Sequence, residues 1–166
     1  QQRESATLRQ VYSWILGRLN TASWTEVQLL APYALIATLV MLLSRRTLDV
    51  MRLGDTEASS VGLRPQVVRF LVIAAASLGT AASVSVSGLI AFVGIIVPHA
   101  VRLLAGTSNR IVLPLSVLYG AAFLAFVDLL GRSLVSPAEI PIGVITAFCG
   151  APFFVVVLRT SRKALA

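Results

Sequence analysis

Charge is what this sequence has least of. Only 13% of its 166 residues are Asp, Glu, Lys or Arg, against about a quarter in a soluble domain. Hydrophobic residues make up 57%, and the mean hydropathy is +0.86. That excludes an ordinary water-soluble core and leaves an integral membrane protein, with room for a handful of crossings at about 20 residues each. Cysteine is nearly absent: Cys149 stands alone in an apolar run, so it offers no disulfide or thiolate cluster and reads as a small buried packing residue. His99 is the single histidine, with no Cys or acid at ligand spacing, so no metal site is assigned. No Gly-x-x-x-x-Gly-Lys-[Ser/Thr] phosphate loop is present, so the chain is not expected to hydrolyse ATP. Asp128 and Glu139 do not form a convincing acid/base pair, and no catalytic residue is assigned. There is no initial Met and no basic-then-apolar leader, which reads as a portion of a longer polypeptide.

The formal charge is +7. Its basic residues flank apolar segments instead of forming one patch, which argues for membrane lipid and against nucleic acid as the surroundings. Residues 5–20 carry Leu8, Val11, Tyr12, Ile15, Leu16 and Leu19 at helical spacing. With Arg9 and Arg18 off that stripe, they suit a helix lying at the membrane interface. Residues 27–43 are uncharged and long enough for one span, with a kink expected at Pro32. A polar stretch, 44–65, follows. Residues 70–101 then hold 32 positions without Asp, Glu, Lys or Arg. Two full crossings need about 40 such positions and one needs about 20. The count favours one full helix, 66–86, and a short broken return, 92–104, with Gly88, Gly94, Pro98 and His99 at the break. Discontinuous membrane helices usually border a substrate pathway, and His99 is expected to support the break by a hydrogen bond. Further spans are read at 111–132, with Pro114 near its first turn, and at 141–158. This is an all-α membrane fold of about five transmembrane helices, one of them short and broken, plus short helices in the 44–65 loop.

If that loop is cytoplasmic, ten basic residues fall inside and four outside, obeying the positive-inside rule with a cytoplasmic C-terminus. In the loop, Asp55 and Glu57 suit the positive N-terminal end of a short helix and Gly62 a C-terminal stop. A solvated connector is the plain alternative. Asp128 and Arg132 have the i,i+4 spacing of an intrahelical ion pair. Ser83, Ser85, Ser87 and Thr146, with Gly79, Gly143 and Gly150, read first as close-packing residues, with lining of a pathway as the alternative.

The stretches 91–104 (AFVGIIVPHAVRLL) and 128–154, from Asp128-Leu-Leu-Gly-Arg132 through Cys149-Gly-Ala-Pro-Phe-Phe154, resemble the FecCD or BtuC-like permeases of ABC importers for iron-siderophores, haem and cobalamin. The resemblance runs from about Leu8 to Lys163 and covers the C-terminal half of family members, half of a ten-span fold. It implies that Gly54-Asp55-x-x-Ala58-x-x-x-Gly62-Leu63 forms coupling helices seated in a groove of the ATPase. Thr56 replaces an acid common in the family, and Glu57 lies one place later. It also implies that Asp-x-x-x-Arg presents Arg132 to an acidic side chain of a substrate-binding protein, and that Leu89 stands where the family often has Pro. The expected function is therefore that of a permease subunit in a bacterial inner (plasma) membrane, moving an iron-siderophore-type chelate inward by alternating access. Cobalamin and haem are the near alternatives. The implied partners are a cytoplasmic ATPase dimer that holds the ATP and Mg, a periplasmic or lipoprotein binding protein, and a second permease subunit. The competing reading from the residues is a proton-coupled secondary carrier using Asp128 or His99, and a membrane scaffold or intramembrane enzyme is a third.

Overall fold

The computed structural model describes residues 8, 11–19, 22–134 and 140–163, and among them there is no strand. From residue 24 onward the described helices are, in order, α1 (Trp24–Met51), α2 (Asp55–Ser60), α3 (Pro65–Ser87), α4 (Val93–Ala105), α5 (Asn109–Ser133) and α6 (Ile142–Lys163). Three of them, α1, α3 and α5, are long and apolar enough to cross a membrane, with mean hydropathies of 1.9 to 2.0; α4 and residues 142–155 of α6 are shorter apolar helices. At 1.5 Å per residue α4 extends about 20 Å, short of a hydrocarbon core of about 30 Å. Its 13 residues stand against 23 and 25 in the helices on either side.

Several boundaries differ from the sequence reading. α1 does not end at residue 43 but runs 28 residues to Met51. Charge at Arg45 and Arg46 ends the apolar span without ending the helix, because Arg is a good helix former and no breaker intervenes. α1 begins with a capping box that went unread: Ser23 Oγ accepts the Glu26 N–H, and the Glu26 carboxylate accepts the Ser23 N–H at 2.8 Å. The interfacial segment, expected over 5–20, is helical at residue 8 and over 11–15, and it stops at Gly17, which has φ +73°. Of the residues expected at the break, Gly88 lies in the non-helical stretch 88–92, whereas Gly94 and Pro98 lie inside α4. Pro98 offers no N–H to the Gly94 carbonyl one turn back, and the helix continues regardless. Because α5 starts at Asn109, Pro114 sits inside the helix, and α6 runs past residue 158 to Lys163. Pro137 and Glu139 fall outside the described residues.

The chain divides into two units, 1–22 with 87–99 and 119–166, and 23–86 with 100–118. In the second, the buried apolar residues are small: Ala37, Ala58, Ala75, Val101 and Val112. A Cβ on Gly79 of α3 would stand 2.9 Å from that of Ala37 on α1, so the two helices approach as closely as small residues allow. In the first, Val97, Val127, Ile142 and Thr146 are buried. Most large apolar side chains, including Leu35, Leu39, Phe70, Leu103, Leu118 and Phe148, face outward. Large exposed apolar surface of this extent fits lipid or further membrane helices. Cys149 is exposed rather than buried, since it sits on the outward side of α6 beside Phe148.

Candidate functional site

The polar end of the second unit is built around α2. Gly54 precedes it with φ +131° and Asp55 is its first residue. Ala58 is wholly buried, whereas Asp55, Thr56, Glu57, Ser59 and Ser60 are exposed, so α2 turns one small residue inward and a polar face outward. Its end is a Schellman motif: the Leu63 N–H donates to the Ala58 carbonyl at 3.1 Å and the Gly62 N–H to the Ser59 carbonyl at 3.0 Å, with Gly62 at φ +83°. Pro65 then opens α3, where its missing N–H costs nothing. The exposed Asp55 carboxylate pairs with Arg69, one turn into α3, at 3.0 Å.

A second cluster at this end was not singled out from the sequence. Asp49 Oδ2 accepts the Ser108 hydroxyl at 2.7 Å, and Oδ1 accepts the Asn109 N–H at 2.7 Å. Arg110 Nε stands 3.9 Å from the same carboxylate. Three residues along, Arg52 donates to the Thr107 carbonyl at 2.5 Å. Asp49 lies beyond the apolar stretch that ends at Leu43. The Ser108 hydroxyl first, then the backbone of Asn109 and Arg110 and the Arg110 charge, holds its carboxyl below the usual range against partial desolvation. Gly106-Thr-Ser-Asn ahead of an apolar run was the readable half of this cluster, as a helix start. The Asp49 half lies 59 residues away in sequence and leaves no local signal.

In the first unit the broken stretch 88–92 is held by backbone. Trp14, in the short helical segment 11–15, accepts the Leu89 N–H at 3.4 Å, and Leu16, in the turn after it, accepts the Gly143 N–H at 3.0 Å. The Arg18 N–H donates to the Ser87 carbonyl at 2.8 Å. Non-helical backbone inside a membrane protein requires such internal partners. Close approach depends on glycine: a Cβ on Gly88 would collide with the Trp14 carbonyl, one on Gly143 with the Leu16 carbonyl, and one on Gly150 with the Phe92 ring. Phe92 itself has φ +68°, a strained conformation for a bulky residue. Thr146 is fully buried and donates to the Gly143 carbonyl at 3.1 Å. His99 meets Phe153 edge-on, ring centres 5.6 Å apart, a ring contact in place of the anticipated hydrogen bond. Arg132 pairs with Asp128 on its own helix at 2.7 Å, with its side chain still half exposed. Among the described residues no group of three or more His, Cys, Asp or Glu could hold a metal ion.

Long apolar helices, one helix too short to cross alone, and a break stitched by backbone hydrogen bonds define an α-helical membrane domain of the discontinuous-helix type. The chain belongs to the FecCD transport family, whose model matches residues 2–160. It is 42% identical over 153 residues to the uncharacterized ABC transporter permease protein YvrB of Bacillus subtilis, covering 92% of this chain and 43% of that protein. It is 40% identical over 152 residues to the cobalamin import system permease protein BtuC of Halobacterium salinarum, covering 92% and 41%. With the hemin transport system permease protein HmuU of Yersinia pestis it shares 37% over 158 residues, covering 94% and 47%. A solved structure described as an inward-facing conformation of an ABC transporter of the metal-chelate type superposes with a TM-score of 0.85 at 34% identity, covering 92% of this chain and 49% of that one. The chain thus spans under half the length of these relatives.

Proposed function

We propose that this chain is the C-terminal half of a permease subunit in a binding-protein-dependent ABC importer. The observation that carries the proposal is α2: a short helix with a polar outer face, framed by Gly54 and Gly62 and tied to α3 by Asp55–Arg69, between two membrane-crossing helices. Gly54, Asp55, Glu57, Ala58, Gly62 and Leu63 are the proposed coupling residues. ATP and Mg belong to a separate cytoplasmic ATPase dimer, whose closure displaces α2 and switches access from one side of the inner membrane to the other. A second permease subunit and a substrate-binding protein complete the assembly, and the C-terminus is cytoplasmic. Arg132, oriented by Asp128 and half exposed, is the proposed docking point for an acidic residue of the binding protein.

The cargo class is a bulky metal chelate, which is what the names of the relatives share: cobalamin, hemin and, for YfmE of Bacillus subtilis, Fe(3+)-citrate. An iron-siderophore-type complex is our specific reading. The 88–92 break with Gly94, Pro98, His99 and Thr146 nearby borders the proposed path.

Cysteines placed in 54–63 and in the ATPase groove should cross-link in membranes, and uptake of a radiolabelled iron chelate should need ATP hydrolysis while ignoring an uncoupler. Labelling of residues 54–63 from outside the cell would overturn the orientation, and uptake abolished by the uncoupler alone would favour a proton-coupled carrier. Competition by cobalamin against the iron chelate separates the two cargoes. Arg132→Glu should weaken binding-protein docking while membrane insertion persists, with partial recovery on charge reversal in the partner. Lost stability with intact docking would instead leave Arg132 as half of an intrahelical pair.

A further inference from the structure

Asp49 occupies an electrostatically unfavourable place on its own helix. It lies in the last turn of α1, where there is no basic residue and where the helix dipole opposes an anion. Its carboxylate instead serves the start of α5. Ser108 is the N-cap there, its carbonyl accepting the N–H groups of Ile111 at 3.1 Å and Val112 at 3.0 Å. Asp49 takes the Ser108 hydroxyl and the Asn109 N–H, each at 2.7 Å. A negative group at that position satisfies a donor left over at a helix start and sits at the favourable end of the α5 dipole. Arg52 adds a parallel link to the Thr107 carbonyl, and the charge facing the carboxylate is that of Arg110.

We propose that Asp49 is a positioning residue that welds the polar end of α1 to the first turn of α5, so that a displacement arriving through α2 moves both helices as one body. The proposal deepens the importer reading and rests on it for its consequence. Residues 52–54 are all that separate α1 from α2, and Asp55–Arg69 ties α2 to α3. The α2 segment is therefore clamped on both flanks. A push on it has no slack to take up on the α1 side while the Asp49 contacts hold. Severing them leaves Arg52–Thr107 at this end, and that bond uses a long, flexible side chain.

The test uses the full-length permease reconstituted with its ATPase and binding protein in vesicles, comparing wild type with Asp49→Ala, Asp49→Asn and Ser108→Ala. ATP hydrolysis and chelate uptake are read from the same vesicles. Asp49→Ala should leave ATPase association and basal hydrolysis within about twofold while chelate moved per ATP falls about tenfold, the scale of losing hydrogen bonds to a charged group. Asp49→Asn and Ser108→Ala, which each keep part of the contact, should fall between. An unchanged ratio in Asp49→Ala overturns the proposal, as does a parallel loss of hydrolysis, uptake and membrane-inserted protein in all three variants. Spin labels at Arg46 and Ile111, in the permease without partners, give a readout independent of transport. Their distance distribution should be narrow in wild type and broaden in Asp49→Ala, and equal widths would refute the weld. Failure of the wild-type permease to bind any ATPase would count against the importer reading, and the label distances would still decide the weld.

Discussion

The two units of this protein hold their irregular segments by different means. At the polar end of the second unit, side chains do it: Asp49 to Ser108 and Asn109, Arg52 to Thr107, Asp55 to Arg69. In the first unit the backbone does it: Leu89 to Trp14, Gly143 to Leu16, Arg18 to Ser87, with Gly88, Gly143 and Gly150 permitting the approach. The difference is the one that solvent imposes if the polar end faces water and the break faces the membrane. Side-chain charge is tolerable where water reaches, whereas unpaired backbone at membrane depth is not and must find internal partners. A charged contact is adjustable in length and can be remade, while a glycine contact tolerates nothing larger. The first kind suits a segment that must be pushed and the second a break that must keep its shape.

The largest expected effect comes from filling one of the glycine contacts. Gly150→Val would drive side-chain atoms into the Phe92 ring, and Phe92, already held at φ +68°, has little room to yield. We expect a loss of about 3 kcal/mol, the upper end of ordinary overpacking costs. Thermal unfolding of the full-length permease in detergent should show it, with loss of expressed protein as the extreme case. If Gly150→Val were neutral, the first unit would be less tightly fitted than its backbone contacts imply. Gly79→Ala at the Ala37 contact in the second unit is the matched control, adding one methyl against another methyl instead of against an aromatic ring.

How much of this was legible in the sequence depends on how far apart the interacting residues lie. Hydropathy places the long helices because span length is a local property, and the 32 uncharged positions of 70–101 imply a helix as short as α4. The end of α1 was misplaced because charge marks where lipid stops, not where a helix stops. The break was legible at Gly88, whereas Gly94 and Pro98 only looked like breakers and lie inside α4; the residues that pin it, Trp14 and Leu16, are far from Leu89 and Gly143 in sequence. Asp55, Ala58 and Gly62 form one local motif and were readable as such. Asp49 was invisible for the opposite reason: its partners Ser108 and Asn109 lie 59 and 60 residues away.

A middle-sized effect is expected at Gly62. Its φ of +83° ends α2 in a conformation that costs a side-chain residue about 1–2 kcal/mol, although nothing stands within 4 Å of an added Cβ. Gly62→Ala therefore isolates backbone strain from steric collision, which Gly150→Val does not. The cost should appear as fraying of α2, so hydrogen exchange at Leu63, whose N–H closes the Schellman motif, should quicken while the long helices keep their protection. Global destabilisation as large as that of Gly150→Val would mean that α2 folds as part of the helical core, and the contrast between the two units would fail.

The smallest effect should come from Arg69→Gln. The Asp55–Arg69 pair is 3.0 Å long but more than half of each side chain is exposed, so water and salt screen it and its contribution to stability should stay below about 1 kcal/mol. Unfolding temperatures at low and high salt should differ for wild type more than for Arg69→Gln, because exposed charges are screened over about 8–10 Å near physiological ionic strength. Uptake should respond more than stability does, since the pair governs where α2 stands relative to α3 and not whether either helix forms. Asp55→Asn should reproduce the Arg69→Gln phenotype, and exchanging the two charges, Asp55→Arg with Arg69→Asp, should restore part of the lost uptake if attraction between them is what matters. No restoration, together with unaltered uptake in both single variants, would assign the tethering of α2 to Ala58 and the two flanking glycines instead, leaving the charges as a solvated fringe.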